Sequence, residues 1–350
     1  MEHKKLGLLL TKSPLLGLLV LPATTTAQDL LVSNPSTDSI KRFDWLSGTY
    51  VGDFVAPGAG GLDYPTAIAY GPDGNLYVGS GPNSEVLRFD GVTGEYIDRF
   101  VDDTHFRGGP SDMCFRQGLL YVSQWNNEAP FNGGVLVFDG HTGEFVKELV
   151  DDVSRSNAIG FDLAGMLYVS EFAANRVHVY DGSGVRVRSI GGSSTLSGAM
   201  DIAFDASGNL LVGSWFQGSV RRFDASTGEL LDVLVGGLAN TGSLGIAPDG
   251  TLMVDDHGLD RIARHDTDSG AFLGYAASGG GLGAQEKFTF MPDPGVCIAD
   301  IDGDGSLSVF DFLAFQNLFD AGDARADLDG DGALTIFDFL AFQDAFDAGC

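Results

Sequence analysis

The chain has 350 residues and a net charge of −28, from 48 acidic against 20 basic side chains, with 50 glycines. So acidic a chain repels nucleic acid and anionic membrane, and it suits solubility and cation binding. The glycine content fits many tight turns between short strands, and the length allows one large all-β domain plus a small one.

The first elements belong to export rather than to the fold. Lys4, Lys5 and Lys12 precede the apolar run 15–21, which is too short to span a bilayer, and Thr25-Thr26-Ala27 offers small residues for cleavage. Residues 1–27 read as a signal peptide, so the mature chain begins at Gln28 and is expected outside the cell or on its surface. No later apolar stretch reaches the ~18 residues of a membrane span.

From residue 29 to about 277 a repeat of roughly 40 to 50 residues runs through the chain, the mark of a propeller or solenoid. Its clearest element is an Asp-x-x-Ser/Thr-Gly turn at 44–48, 90–94, 139–143, 224–228 and 266–270, with a shorter form at 181–184. Asp can bond the turn's own backbone and Gly can take positive φ, so these are hairpins. A second set of turns includes Pro72-Asp73-Gly74-Asn75, Ala206-Ser207-Gly208-Asn209 and Pro248-Asp249-Gly250. Each full repeat then holds four strands, the unit of a propeller blade. The first copy lacks its first strand. Lys287-Phe288-Thr289-Phe290-Met291 can replace it, closing six blades over 28–295 with both chain ends in one sheet.

The stretch Pro65-Thr66-Ala67-Ile68-Ala69-Tyr70-Gly71-Pro72-Asp73-Gly74-Asn75-Leu76-Tyr77-Val78 resembles the first two strands of an NHL repeat. The resemblance implies a propeller that shares its pattern with lactonase and lyase propellers. It does not by itself imply an activity.

The short turns cluster on one face of such a ring. The connections between second and third strands fall on the other, and they carry Trp125, Glu171, Trp215, Asp255 and His257. Entries to the innermost strands add Asp112 and Asp201 near the channel. Aromatic faces beside carboxylates suit a sugar or another polar organic ligand, so these seven residues form the candidate ligand site. No Gly-x-Ser-x-Gly, His-Glu-x-x-His or Cys–His arrangement marks a nucleophile. Cys114 lies in an apolar strand as a buried thiol.

The last segment, 296–350, carries two acidic loops 27 residues apart. In the first, Asp300, Asp302, Asp304, Ser306, Ser308 and Asp311 stand at loop positions one, three, five, seven, nine and twelve. In the second, Asp327, Asp329, Asp331, Ala333, Thr335 and Asp338 stand at the same positions. Carboxylates at that spacing, with Gly at position six, wrap a hard cation, so two calcium ions are expected. Each loop leads into a helix, near 310–319 and 337–346. The loop–helix duplication resembles a dockerin, and the Gly349-Cys350 ending resembles the dockerin-like tails of exported bacterial proteins. The resemblance implies a cohesin-like or other scaffold partner. Val309-Phe310 and Ile336-Phe337 are more apolar than the usual recognition pair. Cys297 and Cys350 bracket the segment and can pair in an oxidising compartment.

The expected fold is thus an all-β six-bladed propeller with a small α-helical calcium-binding dockerin-like domain. The expected function is binding of a carbohydrate or protein ligand outside the cell, with the tail as tether. An enzyme of the lactonase or lyase type, or one acting on polysaccharide, is the alternative. A structural surface protein is the third reading.

Overall fold

The computed structural model describes residues 29–102, 104–126, 133–292, 298–301, 307–328 and 333–348. The expected signal peptide at 1–27, Cys297, Cys350, and the loop residues Asp302, Asp304, Ser306, Asp329 and Asp331 lie outside the described residues.

Within them, six four-stranded antiparallel sheets follow one another along the chain. The first blade joins residues 29–55 to Phe288–Phe290; the others span 65–102, 109–153, 156–191, 199–236 and 241–278. The closing strand pairs as expected, with Leu30 opposite Phe290 and Val32 opposite Phe288. Around that seam Ser33 Oγ accepts from the Lys287 N–H at 2.8 Å and donates to the Lys287 carbonyl at 3.0 Å.

The repeated turn forms for two physical reasons. Asp90 Oδ1 accepts the N–H groups of Val92 at 3.0 Å and Thr93 at 2.7 Å, which tethers the reversal. Gly94 then takes φ +74, and a Cβ there would stand 1.9 Å from the Phe54 carbonyl oxygen of the preceding blade. The turn glycine is therefore also the point where blades touch.

Apolar clusters lie between adjacent blades rather than at one centre, as when Leu31, Ile40, Val55, Ile68, Val78 and Leu87 pack together. That arrangement explains the near-continuous apolar second and third strands, which are covered on both faces. Cys114 sits in the strand Gly109–Arg116, where burial pushes its thiol far up and keeps it inert.

The C-terminal segment forms helices α1 (Val309–Ala321) and α2 (Ile336–Ala348). Phe315 and Phe342 stack between them with ring centroids 4.9 Å apart and are buried. Each helix begins with a cap from the carboxylate at its third position: Ser308 N–H donates to Asp311 Oδ2 at 2.8 Å, and Thr335 N–H to Asp338 Oδ2 at 2.7 Å. Among the described residues no helix is long and apolar enough to cross a membrane.

Candidate functional site at the mouth of the channel

A cavity of about 630 Å³ opens on the face formed by the second-to-third strand connections. Trp125, Phe172, Trp215 and His257 reach it from those connections in four successive blades, and Tyr64, Asn157, Met200 and Glu286 from the strand entries. Ring closure carries these elements to one end of the channel although they are spread over more than 200 positions. The rings form a partial wall: Trp125 and Phe172 lie 5.5 Å apart, and Trp215 and His257 lie 4.8 Å apart. Both tryptophans are half-buried, each with part of its surface open.

The titratable side of the cavity is built around His257. Its Nδ1 donates to the Gln285 carbonyl at 2.9 Å and lies 3.4 Å from Asp255 Oδ2. Asp255 is wholly buried, and Gln285 Nε2 donates to its other oxygen. The Asp255 contact, working against burial, raises His257 to about 8. Burial pushes Asp255 up to about 6 and Glu286 up to about 7, with His257 pulling both the other way. Tyr64 Oη donates to Glu286 Oε1 at 3.4 Å. With Nδ1 committed, Nε2 of His257 is the nitrogen left for exchange of a proton with a ligand.

Deeper in the channel, Lys287 Nζ lies 2.8 Å from Asp201 Oδ1 and 3.1 Å from Asp112 Oδ2. Burial pushes Asp112 up to about 6 against the pull of Lys287. Burial works against the Lys287 charge, but the two carboxylates outweigh it and raise its pKa.

The seven residues expected at the site divide accordingly. Trp125, Trp215 and His257 line the cavity. Asp255 stands behind His257, and Asp112 and Asp201 hold Lys287 below. Glu171 is not among the lining residues: its carboxylate binds His178 Nε2 at 2.8 Å within its own blade and accepts the Ser154 N–H at 3.0 Å from the connection before that blade. Its neighbour Phe172 takes the lining position. Tyr64, Glu286 and the role of Lys287 were missed. The adjacent charges Glu286-Lys287 at the head of the closing strand were the available signal.

These groups set a pH dependence. Asp112, Asp255 and Glu286 keep their protons to higher pH in the folded chain than at the ordinary values of 3.8, 3.8 and 4.5, and His257 does so relative to 6.5. The folded chain therefore binds more protons, and their stabilisation, full below the ordinary values, is lost as pH rises through about 6, 7 and 8. The propeller's unfolding midpoint should fall between pH ~5 and pH ~8.5, by at least about 5 °C at roughly 2–4 °C per kcal/mol. Calorimetry over that range checks it; a midpoint that rises with pH would contradict it.

A model of the SMP-30/gluconolactonase/LRE-like region matches residues 25–253, more than half the chain. The chain belongs to this family. No curated protein matches it. A chain from the crystal structure of a nidogen/laminin complex is similar in fold, with a TM-score of 0.63 at 15% identity, covering 76% of this chain and 98% of that one. A protein of unknown function from Bacteroides caccae gives 0.60 at 14%, covering 77% and 100%. At such identities the likeness concerns the fold alone.

Calcium is a frequent ligand of the family. The described residues of the propeller do not fit it. Among the described residues no group of three or more His, Cys, Asp or Glu is arranged to hold a metal ion. The two carboxylates that do converge in the channel are held by Lys287.

Proposed function

We propose that this chain is an exported propeller that binds a small polar organic ligand of the saccharide class at the mouth of its channel. The observation that carries this reading is the cavity itself. Trp125, Phe172 and Trp215 face one space from three blades, beside Tyr64, Asn157, His257 and Glu286. Flat apolar walls take the C–H faces of a sugar ring, and the polar groups take its hydroxyls. The C-terminal segment is the tether: a dockerin-like module that binds two calcium ions, closed by a Cys297–Cys350 disulfide, with a cohesin-like or other scaffold partner. The acidic loops and the two capped helices with their phenylalanine core support it.

An array of saccharides and aldonolactones probed with the full chain tests the binding. Removing one stacking ring, Trp215→Ala, should weaken the strongest hit about tenfold, since such a contact contributes roughly 1–1.5 kcal/mol. No hit across the array, or hits unaffected by Trp215→Ala, would sink the reading.

The second reading, an enzyme of the lactonase type, is favoured by the His257–Glu286 pair in a family named for gluconolactonase. Near neutral pH Glu286, at about 7, is partly ionised and His257, at about 8, is mostly protonated. Glu286 would take the proton from a water whose oxygen attacks the ester carbonyl. His257 would give its Nε2 proton to the ring oxygen as the C–O bond breaks, and proton exchange with water resets both. Aldonolactone hydrolysis should then follow a bell centred between those two values and drop at least 100-fold in Glu286→Gln.

A further inference from the structure

Strand register identifies one equivalent position in the innermost strand of each blade. Val32, Val78, Val122, Val169, Val212 and Val254 occupy the same place in the six second strands, opposite Phe288, Ile68, Met113, Ile159, Ile202 and Leu244. The residues just before those partners are Lys287, Ala67, Asp112, Ala158, Asp201 and Ser243. Charged side chains therefore come from alternate blades, and small ones from the blades between. The small residues leave space at the axis, and Lys287 crosses it to reach both carboxylates.

The carboxylates are fixed independently of the lysine. Asp112 Oδ1 accepts the Met113 N–H and Oδ2 the Ile159 N–H, both at 3.0 Å. Asp201 Oδ1 accepts the Ile202 N–H at 2.8 Å and Oδ2 the Leu244 N–H at 2.9 Å. Each aspartate thus joins its own blade to the next. Two buried carboxylates held this way need a cation between them, whatever its source.

We propose that Lys287 is the resident channel cation of this propeller, its ammonium filling the place between Asp112 and Asp201 that a divalent ion would otherwise take. The consequence is a channel that needs no metal and a closing strand bolted by charge to the third and fifth blades. The lysine's carboxylate-raised pKa keeps it ionised across the physiological range. Replacing it by a short neutral side chain should turn the same two aspartates into a metal site, because backbone N–H groups already orient their oxygens. Asn157, from the fourth blade, lines the cavity above and offers a further oxygen.

The test is the full chain crystallised with Mn²⁺, a hard cation visible by its anomalous scattering. In the wild-type protein no anomalous peak should stand between Asp112 and Asp201, and Mn²⁺ or EDTA should leave the propeller's unfolding midpoint unmoved. In Lys287→Ala the midpoint should drop, recover on adding Mn²⁺, and a new peak should appear between the two aspartates. Any peak beside Lys287 in the wild type overturns the proposal. So does a folded Lys287→Ala protein that stays empty and indifferent to Mn²⁺. Where the variant does not crystallise, the wild-type peak and midpoint still decide the first claim, and the variant's midpoint decides the second.

Discussion

Ending the chain at Gly280 is expected to leave no folded propeller. That cut removes the closing strand Phe288–Phe290, whose rings pack with Leu30, Val32, Phe43 and Trp45. It also removes Lys287 from between Asp112 and Asp201, and the Asn34 contacts with Gly281 and Gly283 that seal the seam. Partial burial of the two phenylalanines is worth at most about 1.5–3 kcal/mol each. Breaking a buried ion group by removing one partner costs roughly 3–5 kcal/mol more. Together these approach the whole stability of a typical domain, about 5–15 kcal/mol. Two sheet edges are exposed as well, which favours aggregation. A chain ending at Gly295 retains every one of these contacts and should fold. Size-exclusion chromatography and near-UV circular dichroism of the two truncated chains decide the matter. A monomeric, cooperatively unfolding product from the shorter one would contradict the six-blade closure.

The second large effect is expected on chelation. The ring is all β, and the two α-helices among the described residues, α1 and α2, lie in the C-terminal segment, so the helical far-UV signal reports on that segment. Asp311 and Asp338 are wholly buried at the starts of those helices, where they cap the backbone. Each closes a loop that collects three further aspartates in sequence. Carboxylates gathered so closely repel one another without a cation, and a module of this size holds little core to resist it. EDTA should therefore abolish most of the helical signal of the full chain while leaving the propeller's near-UV spectrum intact. Calcium should restore it. Identical spectra with and without chelator would refute a calcium-dependent fold.

The parts of this molecule that were legible in the sequence are those where backbone geometry demands particular residues. The Asp-x-x-Ser/Thr-Gly turn could be read because only that chemistry supplies both the N–H acceptor and the positive-φ residue at a blade contact, as Asp90 and Gly94 do. The missing first strand could be read because a four-strand count left one blade short. The cavity wall was partly legible, since the second-to-third strand connections of every blade must reach the same end of the channel. Glu171 rather than Phe172 stands out there in the sequence because strand alternation fades at the connection and a carboxylate suggests a ligand. Its partner His178 lies in the next strand of the same blade, a pairing that register alone reveals. In the sequence Lys287 is legible only as a strand residue. Its role depends on the six channel positions being aligned blade by blade, with Asp112 and Asp201 two and four blades away.

The central claim is that ligand binds between the tryptophans at the channel mouth, and tryptophan emission tests it most directly. Of three tryptophans, Trp45 is buried against Phe290 at 5.6 Å, while Trp125 and Trp215 line the cavity. Titrating the full chain with the best saccharide or lactone from the array should change the emission saturably. The change should shrink in Trp215→Ala and vanish in the Trp125→Ala, Trp215→Ala double variant, with affinity lost alongside. Calorimetry showing undiminished affinity in a folded double variant would place the binding site elsewhere and contradict the account.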